Sequence, residues 1–306
     1  MNWKLKAHAL ALLSRVPGGK RAYHFLQSQL GTNKLDADES IRRAAEVVDM
    51  IRQAGERECR SVCLEIGTGW RPFLPFILCL ADAEKVITID INRWLNNSYG
   101  QETYRALAGQ LGLISNRLGL AVTGVRERYQ VAAHAKDLTS LLEAMRTEYR
   151  CPADARHTEL LPASVDFVCS SNVLEHVSPG VLRDIHVESM RILRPGGLAV
   201  HRINPGDHFS HVDRSVTGVH FLRYSSDQWY WLGGSGLAYH NRLRSVQHQR
   251  LLEAAGFSIL SSRVRIDPRS LEEITTGRQP IHSDFVHFAP EELAADYMWL
   301  VGRRPQ

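Results

Sequence analysis

Apolar positions along this chain change period several times, and the changes outline its elements. Ile41, Ala44, Val47, Val48 and Ile51 recur at helical spacing, which predicts a charged helix over residues 38 to 57 with one apolar stripe. The pattern then becomes continuous in Val62-Cys63-Leu64-Glu65-Ile66, closes on Gly67-Thr68-Gly69, and resumes about twenty residues later in Val86-Ile87-Thr88-Ile89-Asp90. Two buried strands joined by a glycine turn and a crossover helix are predicted. Such a turn lets backbone N–H groups approach a ligand, and a carboxylate ending the second strand can take both ribose hydroxyls of a nucleoside. Runs like these also occur as plain core strands, so this pair alone leaves both readings open.

Further along, almost sixty residues separate Asp90 from a strand near Tyr149. That is too long for one crossover, and its Leu and Ala content predicts two or three helices forming a helical cap insertion, residues 93–148. Ser164 to Val177 reads as a strand running into a loop and helix, and Arg191 to Val200 as a helix, a Pro195-Gly196-Gly197 turn and a strand. A helix from Gln249 to Gly256 follows, and Phe257-Ser258-Ile259-Leu260 and Tyr297 to Gly302 supply the last two strands.

In this order, Glu65-x-Gly67-x-Gly69, the terminal Asp90, the Val165-Asp166-Phe167 strand leading to Leu174-Glu175-His176, and Leu193-x-Pro195-Gly196-Gly197 resemble the class I S-adenosylmethionine (SAM) dependent methyltransferases over about residues 58 to 203. The resemblance implies an α/β, Rossmann-like seven-stranded sheet, mostly parallel with an antiparallel last strand. Helices would lie on both faces, with a helical insertion and a lid segment. It implies SAM as cofactor, held by Glu65, Gly67, Thr68, Gly69, Asp90, Ile91, Asp154, Ala155, Asn172 and His176. Asp154 would accept the adenine amino group and Asn172 would sit by the methionine amine. The pattern departs at Trp70-Arg71-Pro72, which makes a bulkier, Pro-initiated turn. With Pro72 where a dinucleotide fingerprint has its third glycine, hydride transfer is disfavoured.

At 306 residues, 44% hydrophobic and 23% charged, the chain can bury a large core. Five scattered cysteines without a Cys-x-x-Cys pair read as reduced thiols of a cytoplasmic protein. Lys4, Lys6, Arg15, Lys20, Arg21 and Lys34 put six positive charges and no acid into residues 1 to 35, against a net +4 for the whole chain. With Trp3, Leu5, Leu10, Leu12, Leu13, Val16, Tyr23, Phe25 and Leu26, residues 1–36 form a basic, amphipathic extension that either packs on its own domain or makes peripheral contact with an inner membrane face. The resemblance implies that residues 37–306 form the methyltransferase domain. Nothing in the body of the protein resembles a nucleic-acid-tracking stripe.

After Val200 the substrate should be legible. Residues 206 to 245 hold seven of the twenty-four Phe, Trp and Tyr residues, with His208, His211, His220, His240, Arg223, Arg242 and Arg244. Segments leaving the ends of parallel strands line the ligand crevice, so residues 205–247 are expected to form a lid over the acceptor. Aromatic faces with forked arginines suit a sugar, while filling a small helical lid is the plainer use of the same residues. Within Asp207-His208-Phe209-Ser210-His211-Val212-Asp213, His208 or His211 is expected to take a hydroxyl proton, with Asp207 or Asp213 orienting the ring. A divalent ion on His208, His211 and Asp213, with His176, competes with that reading. The spacing fits no standard signature, and no metal is assigned. Glu175 would cap a helix start. A looser similarity of the tail to methyltransferases of bacterial surface polysaccharides points to O-methylation of a sugar hydroxyl in a glycan or its precursor. The alternatives are a small-molecule or carboxylate acceptor held by Arg242 and Arg244, and a SAM-binding scaffold without turnover.

Overall fold

In the computed structural model, residues 2–19, 35–57, 59–232 and 236–306 are described. In chain order the helices and strands are α1 (Trp3–Arg15), α2 (Ala37–Gln53), β1 (Val62–Ile66), α3 (Phe73–Leu80), β2 (Lys85–Ile89), α4 (Asn97–Ala108), α5 (Leu111–Leu118), α6 (Val122–Gln130), α7 (Leu138–Ala144), β3 (Thr147–Arg150) and β4 (Val165–Ser171). They continue with α8 (Pro179–Ile192), β5 (Leu193–Ile203), α9 (Ser226–Leu232), α10 (Ser245–Ala254), β6 (Ser258–Ile266), α11 (Pro268–Thr275), α12 (Pro290–Leu293) and β7 (Ala295–Arg303). The seven strands form one sheet in the order β3-β2-β1-β4-β5-β7-β6. β7 runs antiparallel to both of its neighbours, and the other pairs are parallel. The expected α/β, Rossmann-like seven-stranded architecture is what the chain forms.

Alternation along the strands divides the core between two faces. Cys63, Val86, Phe167 and Leu198 pack with α2 and α3 on one side, while Leu64, Ile87, Val168 and Ala199 pack with α8 and α10 on the other. Residues buried on both faces account for the unbroken apolar runs. All eight residues of α3 are buried, so this helix is apolar all round, as a helix between two layers should be. The Pro-Gly-Gly segment belongs to β5 rather than to a separate turn: Val165 pairs with Leu193 and Phe167 with Leu198, and the bulge between them takes up the extra residues.

The helices α4 to α7 share the apolar cluster of α2 and α3 through Tyr104, Leu107, Ile114, Leu118, Val125 and Leu141. Most of this insertion therefore thickens one face of the sheet. Its entry does reach the glycine loop, where Trp70 stacks on Trp94 at 4.9 Å and meets Tyr99 edge-on at 5.4 Å. Arg71 adds an ion pair to Glu102 at 2.9 Å. The bulky residues after Gly69 thus anchor the start of the insertion.

A third cluster joins the two ends of the sequence segment by segment. Trp3 and Ala7 of α1 pack with Phe209, Phe221, Leu222, Trp229, Phe285 and Leu293. The plainer reading of the lid aromatics and of the first helix holds for these residues, because they bury one another. Leu5, Leu12 and Val16 on the opposite side of α1 remain exposed. Lys20, Arg21, Tyr23, Phe25, Leu26 and Lys34 lie outside the described residues. Among the described residues, no helix is long and apolar enough to cross a membrane.

Candidate functional site

The C-terminal edge of β1 and β2 carries the first half of the site. Gly67 and Gly69 have φ of +84° and +63°, the left-handed region that favours glycine. A Cβ on Gly67 would stand 2.5 Å from Val173 Cγ2, so the loop after β4 closes directly onto the glycine turn. Gly67 N–H donates to Ile89 O at 2.8 Å, pinning the turn to β2. Asp90, buried at the end of β2, accepts from the Gly69 amide at 2.9 Å and the Asn92 amide at 2.8 Å. Two carboxylate oxygens offer about four acceptor positions, and these bonds use two, so capacity for a ribose diol remains. Burial pushes the Asp90 pKa up, and the amides that it accepts from act in the opposite direction.

Beneath the loop, Thr88 donates to Glu65, and the Thr68 and Thr88 hydroxyls meet at 2.5 Å. Burial raises the Glu65 pKa to about 8, so this carboxyl is protonated at neutral pH and braces the turn as a neutral group. Ile91 is largely exposed and Ala155 is buried beside the same edge. Asp154 is gripped through both oxygens by Arg156 at 2.6–3.1 Å, which lowers its pKa. An adenine amine would share that carboxylate with a guanidinium.

Asn172, with φ +57°, turns the chain out of β4, and its Oδ1 accepts from Arg202 at 2.5 Å. Arg202 was not anticipated from the sequence. It is almost fully buried in β5, paired with Glu46 of α2 at 2.8 Å and stacked 4.2 Å from the Tyr297 ring, and Trp299 donates to the same Glu46 carboxylate at 3.0 Å. This network fixes the loop that holds Asn172. Glu175 does not cap a helix: it is fully buried, its oxygens lie near the amides of Glu175 and Asn204 without completing a hydrogen bond, and burial raises its pKa to about 8.

The second half of the site is an imidazole cluster. His176 follows β4, His208 begins the turn after β5, and His240 ends the lid; their rings stand 5.1, 5.0 and 4.2 Å apart pairwise. His211 stacks on His208 at 5.2 Å. Of the expected orienting carboxylates, Asp213 is engaged elsewhere, whereas Asp207 lines one cavity with His211. Asp207 accepts from the Phe209 amide at 2.8 Å and faces His220 at 3.5 Å, while Asp213 accepts from the Trp3 amide at 2.9 Å and from Ser215. Asp213 thus ties α1 to the lid and stands outside any cluster with His208 and His211. Arg242 and Arg244 are buried as well. Arg242 donates to the carbonyls of Phe221 and Tyr224, and Arg244 donates to those of Pro205 and Arg242. They brace the lid from inside, which removes them as holders of an acceptor carboxylate.

A buried carboxylate and a left-handed glycine turn stand together at the strand tips of a doubly wound sheet, where such sheets carry their ligand crevice. A family model described as a methyltransferase domain matches residues 107–201. Among solved structures, the chain is similar to one assigned as a SAM-dependent methyltransferase from Listeria monocytogenes, at 13% identity over 86% of this chain and 98% of that one, TM-score 0.47. Similar too are a SAM-dependent methyltransferase from Mesorhizobium loti (15%, 84% and 96%, TM-score 0.44) and phosphoethanolamine N-methyltransferase 2 of Haemonchus contortus in complex with SAM (15%, 85% and 52%, TM-score 0.45). No curated protein sequence matches the chain. The methyltransferase-domain match covers residues 107–201, about a third of the chain, and the sheet order is that of the expected class I architecture.

Proposed function

We propose that the enzyme methylates a hydroxyl oxygen, and that the acceptor is a sugar of a glycan or glycan precursor. SAM would be held by Asp90, by the backbone of Gly67, Thr68 and Gly69, and by Asn172 at the methionine end; when bound, it supplies a methyl group on a sulfonium. The acceptor hydroxyl forms the new O–CH3 bond while the S–CH3 electron pair stays with sulfur, and the hydroxyl proton passes to an imidazole. Alignment of the two partners is worth on the order of 7–11 kcal/mol and a placed base about 10²–10⁴ in rate.

One observation carries the acceptor reading. His211 stands between the imidazole cluster and a polar cavity of about 360 Å³ lined by residues including Asn204, Asp207, Arg214, Arg265 and Tyr297. A cavity of that size edged by amide, guanidinium and phenol groups suits a hydroxyl-rich ring. Of the two expected bases, His211 lines this cavity and takes that role. With Arg242 and Arg244 committed to lid carbonyls, a carboxylate acceptor has less support. The test is transfer of labelled methyl from SAM into a cell extract, followed by sizing and sugar analysis of the product. Label in a glycan or its lipid-linked precursor is expected. Label in small acids would transfer the reading to the carboxylate alternative, and cofactor binding with no labelled product in any extract would favour a scaffold.

A further inference from the structure

Three histidines far apart in sequence converge at the end of the sheet. Each of His176, His208 and His240 offers one ring nitrogen, and these atoms all lie within 4.8 Å of one another. We propose that they bind one divalent first-row transition ion of the zinc type, with the fourth coordination position left to the acceptor. Because that last clause rests on the hydroxyl-methylation reading, metal binding and methyl transfer are tested separately.

The ring chemistry favours a cation. His240 is only 6% exposed, yet neither of its ring nitrogens has a hydrogen-bond partner, and His208 Nε2 is buried without one. Leaving buried polar atoms unpaired costs about 1–3 kcal/mol each, a cost that coordination would remove. His176 Nδ1 lies 3.1 Å from the Tyr239 carbonyl. Donation there fixes the tautomer that leaves Nε2 free, the usual way in which a ligating histidine is oriented. Burial and the neighbouring imidazoles lower the pKa of His208 and His240, toward the neutral form that a metal needs.

Donor type and geometry agree. Neutral imidazoles suit zinc, cobalt, nickel and ferrous iron, and tetrahedral coordination at about 2.0–2.1 Å puts ligand nitrogens roughly 3.4 Å apart. The three ligand nitrogens, all within 4.8 Å of one another, must close by about 1 Å to reach that spacing. His176 is exposed, so the cluster opens on that side, as a three-ligand site with an open position requires. An ion there would lower the pKa of a coordinated hydroxyl and leave His211, which is outside the trio, to take the proton.

The whole chain, stripped with a chelator and dialysed, is titrated with Co²⁺ as a spectroscopic probe and then with Zn²⁺ in competition. One Co²⁺ per chain is expected, with ligand-field absorption that Zn²⁺ abolishes. His176→Ala, at an exposed position, should weaken Co²⁺ binding on the order of 100-fold, whereas the exposed His134→Ala should bind as the parent does. His240→Gln should also lose the absorption, with SAM binding as its check on folding. No cobalt uptake, or uptake equal in His176→Ala and His134→Ala, overturns the site. Metal bound at the trio without hydroxyl methylation overturns the functional reading and leaves the site standing; methylation by the stripped enzyme at the parent rate overturns coordination of the acceptor and leaves the functional reading standing.

Discussion

The two halves of the crevice are built in opposite ways. The cofactor side, Gly67 to Asp90, is held by backbone: amides of Gly67, Gly69 and Asn92 donate to groups within about 25 residues, and the side chains serve mainly as acceptors. The acceptor side draws Trp3, His176, His208 and His240 from three distant parts of the chain and is held by rings packed on rings. A site made from backbone needs little from the rest of the molecule, whereas one made from packed side chains depends on every element that contributes. Perturbing each half should therefore leave the other nearly untouched.

The sharpest way to break that contrast is Trp3→Ala. Trp3 is buried against Phe209 at 5.7 Å, His220 at 4.7 Å and Trp229 at 6.3 Å, and truncating a packed tryptophan costs about 3–5 kcal/mol. The loss should fall on residues 205–247, read as faster hydrogen exchange or proteolysis there and a fall in acceptor methylation. SAM affinity by calorimetry should stay within about twofold. A parallel loss of SAM binding would mean that the halves are coupled.

Next comes Gly67→Ala against Gly69→Ala. Both positions lie at positive φ, but a Cβ at Gly67 meets the Val173 side chain at 2.5 and 2.9 Å, and at Gly69 it meets no protein atom within 4 Å. The backbone cost is about 1 kcal/mol at each, and overpacking adds about 1–3 kcal/mol at Gly67. Melting temperature should fall several degrees further for Gly67→Ala. Equal losses would show that the loop after β4 can yield.

How much of this was legible follows the same divide. Local order carried the sheet, the glycine turn and Asp90, because each depends on residues adjacent in sequence. The trio His176, His208 and His240 was not legible, since its spacing of tens of residues carries no periodic signal and depends on where the lid folds back. Sequence proximity pointed to Asp207 and Asp213 as partners of His208 and His211; Asp213 turns to α1 instead, while Asp207 faces His220 and also acts on His211. Arg242 and Arg244 read as acceptor clamps because exposure is the prior for arginine. Their carbonyl partners come from the lid's own backbone, which only the tertiary structure brings to them. Arg202 was hidden for the same reason: its partner Glu46 lies 156 residues away on another layer.

A pH scan tests the packed side at a smaller scale. Burial lowers the pKa of His186 to about 4 and of His248 to about 3, with His201 also well below its ordinary value. A histidine with a depressed folded-state pKa contributes stability above its unfolded value of about 6.5 and loses it as pH falls. Unfolding free energy should therefore decline from pH 6.5 toward 4, by at most about 1.4 kcal/mol per pH unit for each histidine. His186→Gln should flatten the slope. An unchanged slope would place the acid sensitivity elsewhere.

The smallest effect bears on Asp154, the expected adenine acceptor, whose carboxylate already holds Arg156. Asp154 and Arg156 form an ion pair at 2.6 Å with both side chains about two-fifths exposed, and pairs of that kind contribute little to stability. Asp154→Asn should leave the melting temperature almost unchanged. If Asp154 accepts the adenine amine, losing a charge-assisted acceptor should weaken SAM binding roughly three- to tenfold, while Arg156→Ala, which frees the carboxylate, should not weaken it. Calorimetry on the two variants separates the cases. Should Asp154→Asn bind SAM like the parent, its carboxylate serves the loop alone, and adenine recognition falls to the backbone around Ala155.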